Sequence, residues 1–412
     1  MSVYTSFFIF YSSCTFLFDG SSHMKLHGIR VLDFSQFMAG PLVSTTLADH
    51  GADVIKIESL QGDPTRNVGP GSGLNGSDFF ASLNRGKRSV SIDLKSSESR
   101  DVVRQLVETA DILVESYSAG VTQRLGIDYA TVREWNPRII YCSITAFGQS
   151  GPLSGMASHD QLVQAAAGTF TFGKDGAPIV PTVPIAGAVA GYAALSGILI
   201  ALLAARQGRG GDHLDLSMFD ATLTTRPTAV GHALQALHEP EGYHFKPGVA
   251  LLETYETADA HWISLGAHEP RFAKALFNRL GRPDLIPLAN AEPGEAQDPV
   301  RAFLRTIFIS ENLDTWQNWA KDTGISLGPV LNFAQALGHP HTSARKMLIH
   351  DHAGRAHLGT PINFTNEPGS PNMEVAALGQ HSIAVLSEVG IDPALIQRLV
   401  TDGVVHSCQI PR

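Results

Sequence analysis

Ile29-Arg30-Val31-Leu32-Asp33-Phe34 is a short apolar run with β-branched character, and Asp53-Val54-Ile55-Lys56-Ile57-Glu58 is a second run of the same kind. Between them, Gly40-Pro41 ends the first run and Leu42 to Ala48 reads as helical. Strand, helix and strand within residues 28–58 make a βαβ unit. The alternation continues downstream. Ser89 to Leu94, Ile112 to Glu115 and Ile139 to Ile144 read as strands, with helices over about 96–110 and around Val132 to Trp135. The expected fold class is α/β, with a mainly parallel, doubly wound sheet.

Ala186 to Ala205 holds no charged residue and is long enough to span a bilayer. Gly187, Gly191 and Gly197 interrupt it, so a buried helix packing closely through small residues is the preferred reading. Arg206 to Asp212 reads as a turn and Leu214 to Phe219 as a strand. The pattern weakens over 221–245, which predicts a linker. Residues 246–330 carry their own strands (Tyr255 to Ala258, Trp262 to Leu265) and helices (about 270–280 and 298–308), predicting a smaller α+β domain. A return segment over 331–412, with helices at about 380–389 and 393–401, completes the large domain begun at 24–220. Residues 1–23, Phe/Tyr/Ser-rich without a preceding Lys or Arg, predict an extension before a start at Met24.

With 30 Lys plus Arg against 39 Asp plus Glu, the chain is net acidic, which argues against nucleic acid or an anionic membrane as partner. Its 43% hydrophobic content sets it apart from disordered chains. Cys14, Cys142 and Cys408 are odd in number and widely spaced, which predicts reduced thiols, a cytoplasmic protein and no zinc signature.

The candidate chemistry lies in three places. The loop Ser35 to Pro41 comes after the first strand, where doubly wound sheets bind ligands, and the helix after it offers free N–H groups to a phosphate. It carries no GxGxxG, so neither a nicotinamide nor a flavin is expected. Lys87 and Arg88 form a compact cationic loop, and Arg124 is a further candidate for phosphate contact. Ser158-His159-Asp160 precedes a helical stretch. An imidazole beside a carboxylate can be a general base, although Ser and Asp before a helix also cap it. His339, His341, His350 and His352 fit no zinc spacing and read as loop histidines, so no metal is expected.

Assembled in order, these stretches resemble the class III CoA-transferase superfamily, which includes the α-methylacyl-CoA racemases. The resemblance is carried by VLDFSQFMAGP, LADHGADVIKIE, NRGKRSVSIDLK, NPRIIYCSITAFGQSGP, GPVLNFAQALGHPHTSARKML and ALGQHSIAVLSEVGID. It implies a Rossmann-like large domain from both chain ends, a small middle domain, an interlocked homodimer and a CoA thioester as substrate. It also implies that Phe37, Met38 and Ala39 line the thioester end of the CoA site. Lys87, Arg88 and Arg124 would meet the nucleotide phosphates, and Ser116 and Tyr117 the CoA moiety.

The family's Asp nucleophile stands about ten residues before the glycine of a GILAAL-type helix. Here Ala186 or Gly187 occupies that place, and the nearest acid upstream is Asp175, in a Lys-Asp-Gly turn too far along the chain to substitute. The racemase side of the resemblance is intact, with His159 as base, Asp160 beside it and Glu269 as the glutamate that orients the histidine. Three readings result: CoA transfer between a thioester and a carboxylic acid, α-proton chemistry at His159, or a silent CoA-binding subunit that pairs with a sister chain.

Overall fold

A computed structural model describes residues 24–71, 75–173, 175–227, 229–236, 248–352 and 354–408. The extension expected at 1–23 lies outside the described residues. The chain divides into two compact units. The first comprises residues up to Asp160, Thr182–Met218 and His350–Arg412; the second comprises Gln161–Pro181 and Phe219–Ile349. The chain thus returns to the first unit at His350, against 331 from the sequence.

The first unit is built on seven strands: β1 (Arg30–Asp33), β2 (Asp53–Glu58), β3 (Arg88–Ile92), β4 (Ile112–Glu115), β5 (Ile140–Thr145), β6 (Asp212–Ser217) and β7 (Val405–His406). Their order across the sheet is β7-β3-β2-β1-β4-β5-β6. All pairings are parallel except β7 against β3. Sheet order reverses direction between β1 and β4, so the loops leaving these two strands diverge and open a crevice at their carboxyl ends. Every residue of β4 and β5 is buried, as a parallel sheet covered on both faces requires.

Three helices carry residues of the candidate site: α1 (Ala39–Asp49), α2 (Asp160–Ala166) and α3 (Ile185–Arg206). Helix α3 packs on α1, β5 and β6. Glycine makes the approach possible, because a methyl group at Gly191 would stand 3.0 Å from the Ala39 carbonyl oxygen. Only one face of α3 is buried, through Ala186, Gly187, Ala190, Gly191, Ala194, Leu195 and Ile198. Ile200 is 71% exposed and Leu203 64%. The close packing through small residues expected from the sequence is thus present, and it is confined to one face of the helix. Among the described residues, α3 is the one helix long and apolar enough to cross a membrane.

The C-terminal segment closes the first unit. His381 N–H donates to the Ser89 carbonyl at 2.9 Å, and Val405 pairs with Ile92. The strand β7 has no counterpart in the sequence reading, because two residues carry no periodicity. In the second unit, a three-stranded antiparallel sheet joins Thr254–Glu256, Trp262–Leu265 and Leu327–Pro329. The helices Pro270–Arg279, Asp298–Phe308 and Leu313–Ala320 cover an apolar cluster that includes Tyr255, Phe277, Phe308 and Trp316. Part of the expected 221–245 linker is helical, at Met218–Leu223 and Val230–Ala236; 237–247 lies outside the described residues.

Two positions yield expectations about stability. Gly379 has a φ of +67°, and a methyl group there would meet the His406 carbonyl oxygen at 2.4 Å. Gly379→Ala is expected to cost about 1–3 kcal/mol by overpacking and backbone strain, read as a lower urea midpoint. The second position is Glu115, which ends β4 without solvent access. Burial pushes its carboxyl up from 4.5 to about 7, aided by the Asp215 carboxylate and opposed by hydrogen bonds from Ser143 and Tyr117 N–H. The folded protein keeps this proton where the unfolded chain has lost it, so stability falls as pH rises from 4.5 to 7 and then levels. Glu115→Gln is expected to be stabilising, more so at pH 8 than at pH 5 by about 2 kcal/mol. Urea titrations at the two pH values check it; an equal effect at both would remove Glu115 as the cause.

Candidate active site

Asp33, the last residue of β1, has no exposed surface and ties down the adjoining loop. Its Oδ1 accepts the Ser35 N–H at 2.9 Å and also the Ser35 hydroxyl. Its Oδ2 accepts Ser44 Oγ at 2.6 Å and Lys87 Nζ at 2.9 Å. The same ammonium donates to the Pro41 carbonyl at 3.2 Å and to Asn84 Oδ1 at 2.9 Å. Lys56 Nζ, also buried, donates to the Ser35 carbonyl at 2.8 Å and pairs with Asp63 Oδ2 at 3.0 Å. Burial alone would raise the Asp33 carboxyl, but Lys87 and Lys56 hold it well below the usual carboxylate range. Both ends of the loop are thereby held by buried charge.

The loop carries local strain. Phe37 sits at φ +64°, a left-handed conformation that costs a bulky residue about 1–2 kcal/mol. Gly40, the second residue of α1, lies so close to Ser35 Cβ that a methyl group would clash with it, and only glycine fits. Across the crevice, the loop after β4 is sewn to the first by Gln36 N–H, which donates to Ser116 Oγ at 2.8 Å.

A cavity of ≈ 340 Å³ opens at this point. Phe37, Met38, Ala39, Ser116 and Tyr117 line it from the carboxyl ends of β1 and β4, and Thr145 and Ala146 from that of β5. His159, Asp160 and Gly187 complete the wall. The His159 ring stands edge-on to Phe37, with centroids 5.6 Å apart. Asp160 opens α2 and reaches the start of α3, where its Oδ1 accepts the Gly187 N–H at 2.7 Å. Ala186 is fully buried and Gly187 lines the cavity, so Gly187 is the position from which a side chain would enter it. A methyl group at 187 would stand 3.5 Å from Met38 Sδ and 3.6 Å from Asp160 Oδ1.

The basic candidates lie elsewhere on the first unit. Arg124 is exposed and lines a cleft of ≈ 380 Å³ together with Lys95, Arg100 and Trp135. Lys87 is enclosed and serves Asp33, while Arg88 pairs with Asp53 at 2.7 Å and Glu388 at 2.8 Å. Lys87 and Arg88 also border a third cavity with Arg355 and His352. Glu269 belongs to the second unit, where it precedes the helix Pro270–Arg279 and pairs with Arg271 at 2.9 Å. Asp175 also lies in the second unit, its Oδ1 accepting the Ala177 N–H. No group of three metal-ligating side chains is assembled among the described residues.

Asp33 and Lys56 escaped the sequence reading, although a signal for them existed. Each is a charge inside a run that reads as buried, and a buried charge requires a partner.

Similarity to known proteins bears on the family. Residues 26–382 match CoA-transferase family III. An acyl-CoA transferase of Fusarium pseudograminearum is 30% identical over 93% of this chain and 89% of its own. An acetyl-CoA:oxalate CoA-transferase of Acetobacter aceti is 32% identical, covering 84% of this chain and 92% of its own. The alpha-methylacyl-CoA racemase of Mus musculus is 29% identical over 93% and 98%. Among solved structures, a CAIB/BAIF family protein from Brucella suis aligns with a TM-score of 0.76 at 29% identity, covering 89% of this chain and all of that one. By that match along most of its length, this chain belongs to CoA-transferase family III.

Proposed function

We propose that the protein transfers CoA between a thioester and a carboxylic acid, with the thioester seated in the cavity at the ends of β1, β4 and β5. The observation that carries the reading is the wall of that cavity. A loop fixed by buried charge faces a histidine and a carboxylate where an α/β sheet binds ligands. Phe37, Met38 and Ala39 meet the thioester end, and Ser116 and Tyr117 the pantetheine portion. Arg124, exposed beside Lys95 and Arg100, suits contact with nucleotide phosphates. Arg88 and Lys87 are the further phosphate candidates, each already engaged by carboxylates. The assembly proposed is an interlocked cytoplasmic homodimer, or a heteromer with a sister subunit, acting without metal, nicotinamide or flavin. The return segment of the large domain and the small middle domain belong to the same reading.

A second reading is favoured by His159, which stands against Phe37 in the cavity wall. There it would abstract an α-proton from the thioester, with Asp160 beside it. A silent subunit is the third reading, and it draws on the absence of a carboxylate at Ala186 and Gly187.

One experiment separates them. The purified protein is incubated in D₂O with succinyl-CoA or acetyl-CoA and with glutarate, oxalate or mesaconate, acids that appear in relatives' names. Mass spectrometry is expected to find a new CoA ester. Deuterium on the acyl chain without a new ester would install the second reading, and His159→Ala is then expected to abolish the exchange. Neither signal, with CoA binding confirmed, would leave the silent subunit.

A further inference from the structure

Among the described residues that line the cavity, Asp160 is the only carboxylate. Covalent transfer of CoA to a carboxylic acid needs an enzyme carboxylate that can carry first the acyl group and then the CoA. We infer that Asp160 is that nucleophile, delivered from the start of α2 into the space that a side chain at position 187 would otherwise occupy. The inference rests on the transfer reading and gives Asp160 a covalent role, distinct from support of His159.

The geometry accounts for the glycine as well as the aspartate. Asp160 Oδ1 lies 3.6 Å from where a Cβ at 187 would be, an ordinary contact distance, so the two positions open on the same space. Glycine leaves the position open and presents its N–H, which holds Oδ1 at 2.7 Å. Once the other oxygen is acylated, Oδ1 is the aspartyl carbonyl oxygen. The same N–H then faces the charge that develops on it when thiolate attacks.

The steps balance without any further reagent. The Asp160 carboxylate attacks the thioester carbonyl, the C–S bond breaks, and CoA leaves as thiolate from a mixed anhydride. The thiolate attacks the aspartyl carbonyl, the anhydride C–O bond breaks, and the donor acid departs as carboxylate. An acceptor carboxylate then attacks the aspartyl thioester and expels the thiolate, forming a second anhydride. Attack of the thiolate on the acceptor's acyl carbon releases the new CoA ester and the free Asp160 carboxylate. No electron or net proton is consumed.

The test uses the full chain with succinyl-CoA and the same three acids. Borohydride quenching reduces an aspartyl thioester to homoserine, and peptide mass spectrometry is expected to find it at position 160. Asp160→Asn is expected to lose about 10⁴-fold in transfer while still binding CoA. Adding Gly187→Asp to that variant is expected to restore part of the rate and move the adduct to position 187. An adduct on another carboxylate, or transfer with no adduct at all, overturns the inference and leaves the transfer reading standing. No new ester from the unaltered protein overturns both. Should Asp160→Asn fail to fold, the position of the adduct on the unaltered chain decides.

Discussion

The Asp33 carboxylate, enclosed at the end of the central strand, holds the loop Ser35 to Pro41 by opposing two costs. Burying a carboxylate is expensive, and so is holding Phe37 in a left-handed conformation. Lys87 and Lys56 offset the first cost, since each donates to the loop backbone as well as meeting a carboxylate. The second is sustained because the loop is bonded on both sides of the strain, at Ser35 and at Pro41. Removing either lysine would leave a buried anion without its partner, which is far costlier than the lost hydrogen bond alone.

The same arrangement explains why two basic residues close to the crevice are spoken for within the fold. Lys87 immediately precedes β3 and Arg88 opens it, and the two side chains reach different partners. For Lys87 the partner is the buried charge cluster, and for Arg88 it is the pair of carboxylates Asp53 and Glu388. Arg124, on a short helix after β4, has the exposure that Lys87 and Arg88 lack.

Much of the large unit was legible because a doubly covered parallel sheet leaves near-continuous apolar runs, as in Ile112–Glu115 and Ile140–Thr145. Strand order and the crevice between β1 and β4 depend on pairings distant in sequence, which periodicity cannot reveal. The candidate site was legible as a set of residues more than as a geometry. Phe37, Met38, Ala39, Ser116, Tyr117, His159 and Asp160 all line one cavity. That Gly187 donates to Asp160 could not be read, because its backbone N–H meets the Asp160 side chain across 27 positions. The one-sided burial of α3 was hidden for a different reason. Its exposed and buried faces are both apolar, so composition does not distinguish them.

The two-residue strand β7 bears on how the chain matures. Its pairing of Val405 with Ile92 joins residues far apart along the chain, and the second unit is encoded between them. Until Val405 and His406 emerge during synthesis, β3 lacks its partner on that side and presents an open edge. The sheet therefore has a long interval of vulnerability to mispairing, and its completion is a loop closure over some three hundred residues. A short antiparallel cap is well suited to that late task, since it needs few contacts to seal an edge that the preceding strands have already ordered.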